Sequence, residues 1–450
     1  MALLLTEAGV LPSQMIANAI KDGWVTTSDG SDIPDENIQP ASLDLRLGAV
    51  AYRLRCSFLP DNESVEEALR RYKMEQIKPR PDGSWTLEQN RPYLIPLVEQ
   101  LSLPKGVRAK ANPKSSTGRL DIFTRVITDN SFMFDEVPTG YRGRLYLEIV
   151  SRTFTVRVQR GLALNQLRFM VGRTTLSDDD IQKLHGLSPL LYRGGKPLNS
   201  REVAVGNGLF MSLDLGRSSG GDLVGYSAKA DCHDIDLGKI NHYKVPYFWD
   251  EVRSEGSGHG ARIILRPEKF YLLLSQEGIK IPPEYAAEMT AYDPTSGELR
   301  THYAGFFDPG FGFDDRDFDH AGSRAALEVR AHDVQFAVEH GQNICKLSFD
   351  KMIEPPERLY GNDLRSNYQG QQIALSKHFK RERQGQREER EGRKRFTQSS
   401  LFPLEEAADA VLELLFSMPQ SMCIRLLGIS QPPPSPHRIK HRPRGSMQKA

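Results

Sequence analysis

The feature that most restricts this chain is that it repeats itself. Ser42-Leu43-Asp44-Leu45 recurs as Ser212-Leu213-Asp214-Leu215, and Glu99, Leu101, Leu103 and Pro104 recur as Glu277, Ile279, Ile281 and Pro282. Leu147-Glu148-Ile149 recurs as Leu327-Glu328-Val329, and Gly161 and Phe169 recur as Gly341 and Phe349. The matches keep one order and an offset of about 170–180 residues, which marks a duplicated unit. A chain of 450 residues has room for two such units. The low identity between copies implies that they have diverged in role. The expected organisation is a first repeat over residues 1–172, a polar linker over 173–205, a second repeat over 206–380 and a tail over 381–450. The tail is dense in basic residues and reads as mostly disordered, with an amphipathic pattern at 404–416.

Within the repeats most segments read as strands. Residues 143–150, 154–158 and 162–170 are rich in Val, Leu, Tyr and Phe, and Gly140, Gly143 and Arg160-Gly161 punctuate them. Many short strands with such turns predict a mainly β sandwich or barrel. Two helices are expected. One starts at an N-cap Ser13 and stops at Gly23, and the other spans 62–78, capped by Asn62 or Ser64.

Bulk charge excludes some partners. A net charge of +1 leaves no chain-wide surface for nucleic acid, though it permits a local basic pocket. The four cysteines, Cys56, Cys232, Cys345 and Cys423, form no C-x-x-C pair, so a reducing compartment is the simplest expectation. Residues 1–10 lack the basic start of a signal peptide, and no run of 18 apolar residues occurs. A cytoplasmic protein without a membrane partner is expected.

Four segments carry candidate chemistry. Lys114-Ser115-Ser116-Thr117-Gly118-Arg119 offers hydroxyls and two cations beside an exposed backbone, which suits a polyphosphate, although polar surface turns look similar. Glu148 lies in an apolar strand, Leu145-Tyr146-Leu147-Glu148-Ile149-Val150. It is either solvent-facing or a buried carboxyl with a raised pKa, fit to move protons. In residues 38–48, Leu43, Leu45 and Leu47 alternate with Asp44 and Arg46, which suit a cross-strand ion pair. Tyr360, Tyr368 and Gln371 belong to a segment able to close over a base. Zinc-dependent deamination needs H-x-E with P-C-x-x-C, and neither element is present. A G-x-x-x-x-G-K-[ST] loop is also missing.

Taken together, these motifs resemble the dCTP deaminase family, which shares a trimeric jelly-roll-like fold with the dUTPases. Residues 38–48 look like the family's Q-P-A-S-x-D-L-R-L-G strand, 114–119 like its R-S-S-x-x-R loop, and Leu147-Glu148 like its L-E strand. Arg160-Gly161 through Gln166-Leu167 looks like a later family strand. Tyr360 and Tyr368-Gln369-Gly370-Gln371 look like its closing C-terminal segment. The resemblance implies two tandem dUTPase-like distorted jelly-roll domains with a few short helices.

It also implies roles. Glu148 would be the base and acid for a water attacking C4 of cytosine, with Ser115 and Arg119 placing that water. Lys114, Ser116, Tyr360, Tyr368, Gln371 and Asp308 would hold substrate, and Mg2+ would arrive with the triphosphate. Sites would form between subunits, so a homo-oligomer with trimer-type packing is expected, with dCTP, dUTP and dTTP as the nucleotides concerned. The family's Asp-Pro-Gly-aromatic turn is absent from the first copy, which has about six extra residues near 132–138. The second copy has it as Asp308-Pro309-Gly310-Phe311, but carries Thr295-Ser296-Gly297-Glu298 in place of the Ser-Ser-x-x-Arg loop, and Asn367 where some relatives have Lys. These differences imply a division of labour, with the catalytic loop and Glu148 in the first copy and a structural Glu328 in the second. The implied activity is zinc-independent conversion of dCTP to dUTP and ammonia, feeding dUMP and dTTP synthesis. A dUTP pyrophosphatase, a bifunctional enzyme and a non-catalytic nucleotide-binding regulator are the alternatives.

Overall fold

A computed structural model describes residues 7–216, 223–291, 299–301, 305–313, 322–331, 333–361 and 374–380. The expected tail, Tyr368, Gln371, Asn367 and Thr295-Ser296-Gly297-Glu298 lie outside them. The strands form where apolar and polar residues alternate. Val107, Ala109 and Ala111 of the strand Val107–Pro113 are buried, while Arg108 and Lys110 between them are only half-buried.

The two repeats share one topology. In the first, Ala163–Val171 lies between Leu43–Arg46 and Val107–Pro113, and Glu136–Val137 pairs with the latter. In the second, Asn343–Lys351 lies between Leu209–Ser212 and Tyr285–Ala291, with Phe306–Phe307 alongside. A second sheet in each repeat pairs Pro92–Ser102 with Arg142–Ser151, or Phe270–Ile279 with Ser323–Ala331. Register makes the copies equivalent residue by residue. Glu148 stands opposite Leu94, and Glu328 opposite Leu272. Phe169 stands opposite Ala109, and Phe349 opposite Ala287. Gly161 and Gly341 both adopt positive φ, at 84° and 80°, and donate to the carbonyls of Leu47 and Leu213 at 2.8 and 2.9 Å.

One of the sequence matches is out of register. Leu43 pairs with Leu167 and Leu209 with Leu347, so the counterpart of Leu43–Arg46 is Leu209–Ser212. The second Ser-Leu-Asp-Leu begins only at Ser212, the last residue of that strand. An alternating Leu-x-Leu pattern repeats every two residues and cannot fix its own register.

The helices also differ from expectation at their ends. The first spans Ser13–Lys21, with Pro12 as N-cap, and Ser13 is its first residue. The second is only Val65–Tyr72, held by a capping box of Ser64 and Glu67. Lys73–Ile77 beyond it is a strand paired with Ala51–Leu54, which an alternation-blind count of helix formers conceals. Residues 173–205 contain the helix Asp178–Leu187, capped by Ser177, and its Ile181 is buried in the second repeat's core.

The repeats do not bury separate cores. Ile95, Leu147 and Phe169 form one apolar cluster with Trp249, Phe270 and Phe379, which come from beyond the first repeat. A second cluster gathers Leu213, Leu273, Leu327 and Phe349. Both repeats belong to one compact unit ending at Lys380. The seam between them sets two strand faces against each other, and the candidate residues lie along it.

Candidate active site

Val107–Pro113 ends in a proline, which donates no backbone hydrogen bond, and the chain turns through one helical turn, Ser115–Gly118. The Lys114 N–H and the Thr117 hydroxyl both donate to the Leu164 carbonyl, at 3.0 and 2.9 Å. Ser116, Thr117 and Arg119 are buried. Ser376 donates its hydroxyl to the Ser116 carbonyl at 2.9 Å, and Arg119 donates to the Ala374 carbonyl at 3.2 Å. Thus residues 374–380 pack on the loop from behind. His378, bonded to Ser376 and the Leu237 carbonyl, anchors them, and its burial lowers its pKa to about 4.

This first-repeat loop faces the second repeat. Lys114, Ser115, Gly118 and Arg119 form one side of a cleft. Phe306, Phe307, Asp308, Phe311, Glu328 and Tyr360 form the other. The contact is closest at Gly118, where a Cβ would come within 2.7 Å of Oε1 of Glu328 and nearer still to Oε2. Only glycine lets the carboxylate pack there.

Glu328 is 7% exposed, and its Oε2 has no hydrogen-bond partner among the described residues. Burial raises its pKa well above the usual carboxylate range; Arg119 opposes that shift and Asp121 adds to it. A buried, proton-avid carboxyl beside a fixed guanidinium is equipped for proton transfer. Asp308 is likewise raised, to about 6, by burial first, with Arg168 and Lys114 lowering it and Asp44 raising it. Asp44 forms an ion pair with Lys114, and Arg46 pairs with Glu99 at 2.6 Å. The Asp44 strand therefore braces the loop. Asp44 and Arg46 do not pair with each other.

Glu148 is not in the cleft. Its Oε1 accepts from Nε of Arg125 at 3.0 Å and from a second nitrogen of the same guanidinium. Phe134 lies 4.1 Å from that guanidinium. Tyr146, two residues along the same strand, is covered by the helix Val65–Tyr72 and donates to Glu66 at 3.0 Å. Glu328, the register equivalent of Glu148, is the carboxylate that lies against the loop. The two carboxylate strands face differently: the first repeat's loop meets the second repeat's carboxylate strand, while the helix Val65–Tyr72 covers Tyr146 on the first repeat's own strand.

The remaining candidates divide. Lys114, Ser115, Arg119, Asp308 and Tyr360 line the cleft, and Ser116 lies buried in the loop. Tyr360 packs on Phe311 at 5.4 Å and donates its N–H to the Pro309 carbonyl at 2.9 Å. Pro138-Thr139-Gly140-Tyr141 takes the place of the Asp308 turn in the first repeat, because Glu136 pairs with Lys110 as Phe306 pairs with Glu288. Phe306 and Phe307 were not singled out from the sequence, which marked only Phe311 as the aromatic of the Asp308 turn. Their clustering beside Asp308-Pro309-Gly310 was the available signal.

Known proteins bear on this arrangement. Residues 7–173 match the profile of the 2'-deoxycytidine 5'-triphosphate deaminase N-terminal domain, and residues 177–379 that of its C-terminal domain. A dCTP deaminase of Haloarcula marismortui is 30% identical over 140 residues, 31% of this chain and 68% of that protein. A dUMP-forming dCTP deaminase of Methanothermobacter thermautotrophicus is 28% identical over 145 residues, 31% of this chain and 67% of that protein. The crystal structure of 2'-deoxycytidine 5'-triphosphate deaminase from Agrobacterium tumefaciens matches with a TM-score of 0.70 and 42% identity, covering 77% of this chain and 99% of that one.

Proposed function

This chain belongs to the dCTP deaminase family, and we propose that it hydrolyses dCTP to dUTP and ammonia in the cleft between its repeats. What carries the reading is Glu328, a buried carboxyl with a raised pKa set against the Lys114–Arg119 loop of the other repeat. In this mechanism ionised Glu328 takes a proton from water as its oxygen bonds to C4 of cytosine. It returns that proton to the exocyclic nitrogen, the C4–N bond breaks and ammonia leaves, while the proton remaining on the C4 hydroxyl passes to N3, giving the carbonyl and N3–H of uracil. Arg119 stabilises the charge on Glu328, and Ser115 orients the water. Lys114 and Ser116 serve the phosphates.

Magnesium enters with the triphosphate in this reading. Asp44 is engaged by Lys114 and Asp308 faces Arg168, so phosphate and water oxygens supply most of the ion's ligands.

The same pairing favours dUTP over dUMP as product. Cleaving the triphosphate needs a second base for a water at the α-phosphorus, and Asp44, Asp121 and Asp308 near the loop each face a cation. Incubation of the purified chain with dCTP and magnesium, followed by anion-exchange separation, is the test. The expected products are dUTP and ammonia in equal amounts. Appearance of dUMP with pyrophosphate transfers the assignment to a bifunctional enzyme. Unreacted dCTP across pH and metal conditions leaves the nucleotide-binding regulator as the reading.

A further inference from the structure

Arg168 lies on the first-repeat strand Ala163–Val171 and is 0% exposed, the largest fully buried side chain among the described residues. Its contacts are in the second repeat. The guanidinium lies over the Phe306 ring, 3.9 Å from the centroid, and Nη1 donates to the Ala287 carbonyl at 3.3 Å. Nη2 faces Oδ1 of Asp308 at 3.6 Å, and Nη1 is 4.0 Å from Oδ2 of Asp350. Neither Nη2 of Arg168 nor Oδ1 of Asp308 has a hydrogen bond elsewhere among the described residues. Two of these contacts, Phe306 and Asp308, line the cleft.

A buried guanidinium is costly, and an apolar side chain would fill the same space over Phe306 more cheaply. The fold does not demand arginine there. In the second repeat the equivalent position, opposite Glu288 as Arg168 is opposite Lys110, is Ser348. The strand bearing Arg168 pairs directly with the one that leads into the Lys114–Arg119 loop, Asn165 opposite Pro113. Arg168 and the loop thus move as one rigid sheet, while Phe306 and Asp308 belong to the opposing wall.

We propose that Arg168 is the positioning residue of the cleft, fixing the Phe306–Asp308 wall of the second repeat against the catalytic loop of the first. The proposal rests on the cleft being the dCTP site. It predicts that a residue which touches no substrate nevertheless governs how substrate is held, since small displacements of a positioned wall cost about 100-fold.

The test uses the full chain with Arg168→Met, Arg168→Lys, Asp308→Asn and the Arg168→Met/Asp308→Asn double variant, each followed by melting temperature, kcat and KM for dCTP. Wild-type turnover of dCTP checks the site reading independently. For Arg168→Met, kcat/KM should fall about 100-fold, with much of the loss in KM, at a temperature where the variant is folded. Arg168→Lys should recover part of that loss, and the double variant should be little worse than Asp308→Asn alone. If Arg168→Met does not fold, Arg168→Lys against Asp308→Asn carries the test. Unchanged kinetics in Arg168→Met, or losses that add fully with those of Asp308→Asn, overturn the proposal and make Arg168 a packing residue.

Discussion

Replacing Glu328 with glutamine should lower dCTP turnover by about 1,000-fold, while Glu148→Gln should leave it within about threefold of wild type. The two residues are equivalent by sequence and by strand register, so only their surroundings separate them. Glu328 has an unpartnered oxygen in a cleft, a raised pKa and a guanidinium-bearing loop against it. Glu148 also has an unpartnered oxygen, Oε2, among the described residues, but its Oε1 is occupied by Arg125 from the neighbouring strand and it does not line the cleft. Glutamine at position 328 keeps size and polarity but cannot take a proton, so dCTP should still bind to that variant. Steady-state kinetics and equilibrium binding of dCTP to both variants check this. Glu148→Gln losing turnover as Glu328→Gln does not would return the role to the first repeat.

The second large effect concerns the seam itself. Arg330→Met should destabilise the protein by about 3–5 kcal/mol, measured from the urea midpoint and slope, because it strands a buried carboxylate. Arg330 and Asp121 form an ion pair across the repeats with side chains 5% and 0% exposed. Thr153 donates to Asp121 at 2.5 Å and lies 3.1 Å from Arg330, and Glu268 adds an outer contact to Arg330 at 3.4 Å. Asp121 follows the Lys114–Arg119 loop closely, and Arg330 lies on the Glu328 strand, so this pair joins the segments that carry Arg119 and Glu328. An unfolding free energy within about 0.5 kcal/mol of wild type would show that the pair contributes nothing net.

Much of the architecture was legible in the sequence. Leu147-Glu148-Ile149 with Leu327-Glu328-Val329, and Gly161 with Gly341, located the duplication because an apolar strand around one carboxylate and a left-handed turn glycine are both hard to replace. Ser42-Leu43-Asp44-Leu45 misled because alternation alone does not fix register. Lys73–Ile77 was read as helix because its charged residues suit a helix, while its pairing with Ala51–Leu54 lies elsewhere in the chain. At the site, the loop at 114–119 was readable from its own residues. The choice between Glu148 and Glu328 was not. It depends on which strand face the loop meets, and that is set by how the repeats dock. The resemblance held a clue, since family sites form between subunits, and a tandem chain can make that junction within itself. Arg168 was invisible for a related reason: beside Leu167 and Phe169 it reads as the outward residue of an alternating strand, and its burial comes from the other repeat.

The central claim is that one chain supplies both halves of its active site. Co-expression of an Arg119→Met chain and a Glu328→Gln chain carrying different tags tests it most directly, with deamination of dCTP assayed in any species that retains both tags and in the unfractionated mixture. An intrachain site predicts activity no higher than the sum of the two variants alone, because no chain then has an intact loop facing an intact carboxylate. Recovery well above that sum would contradict the account and place the site between chains.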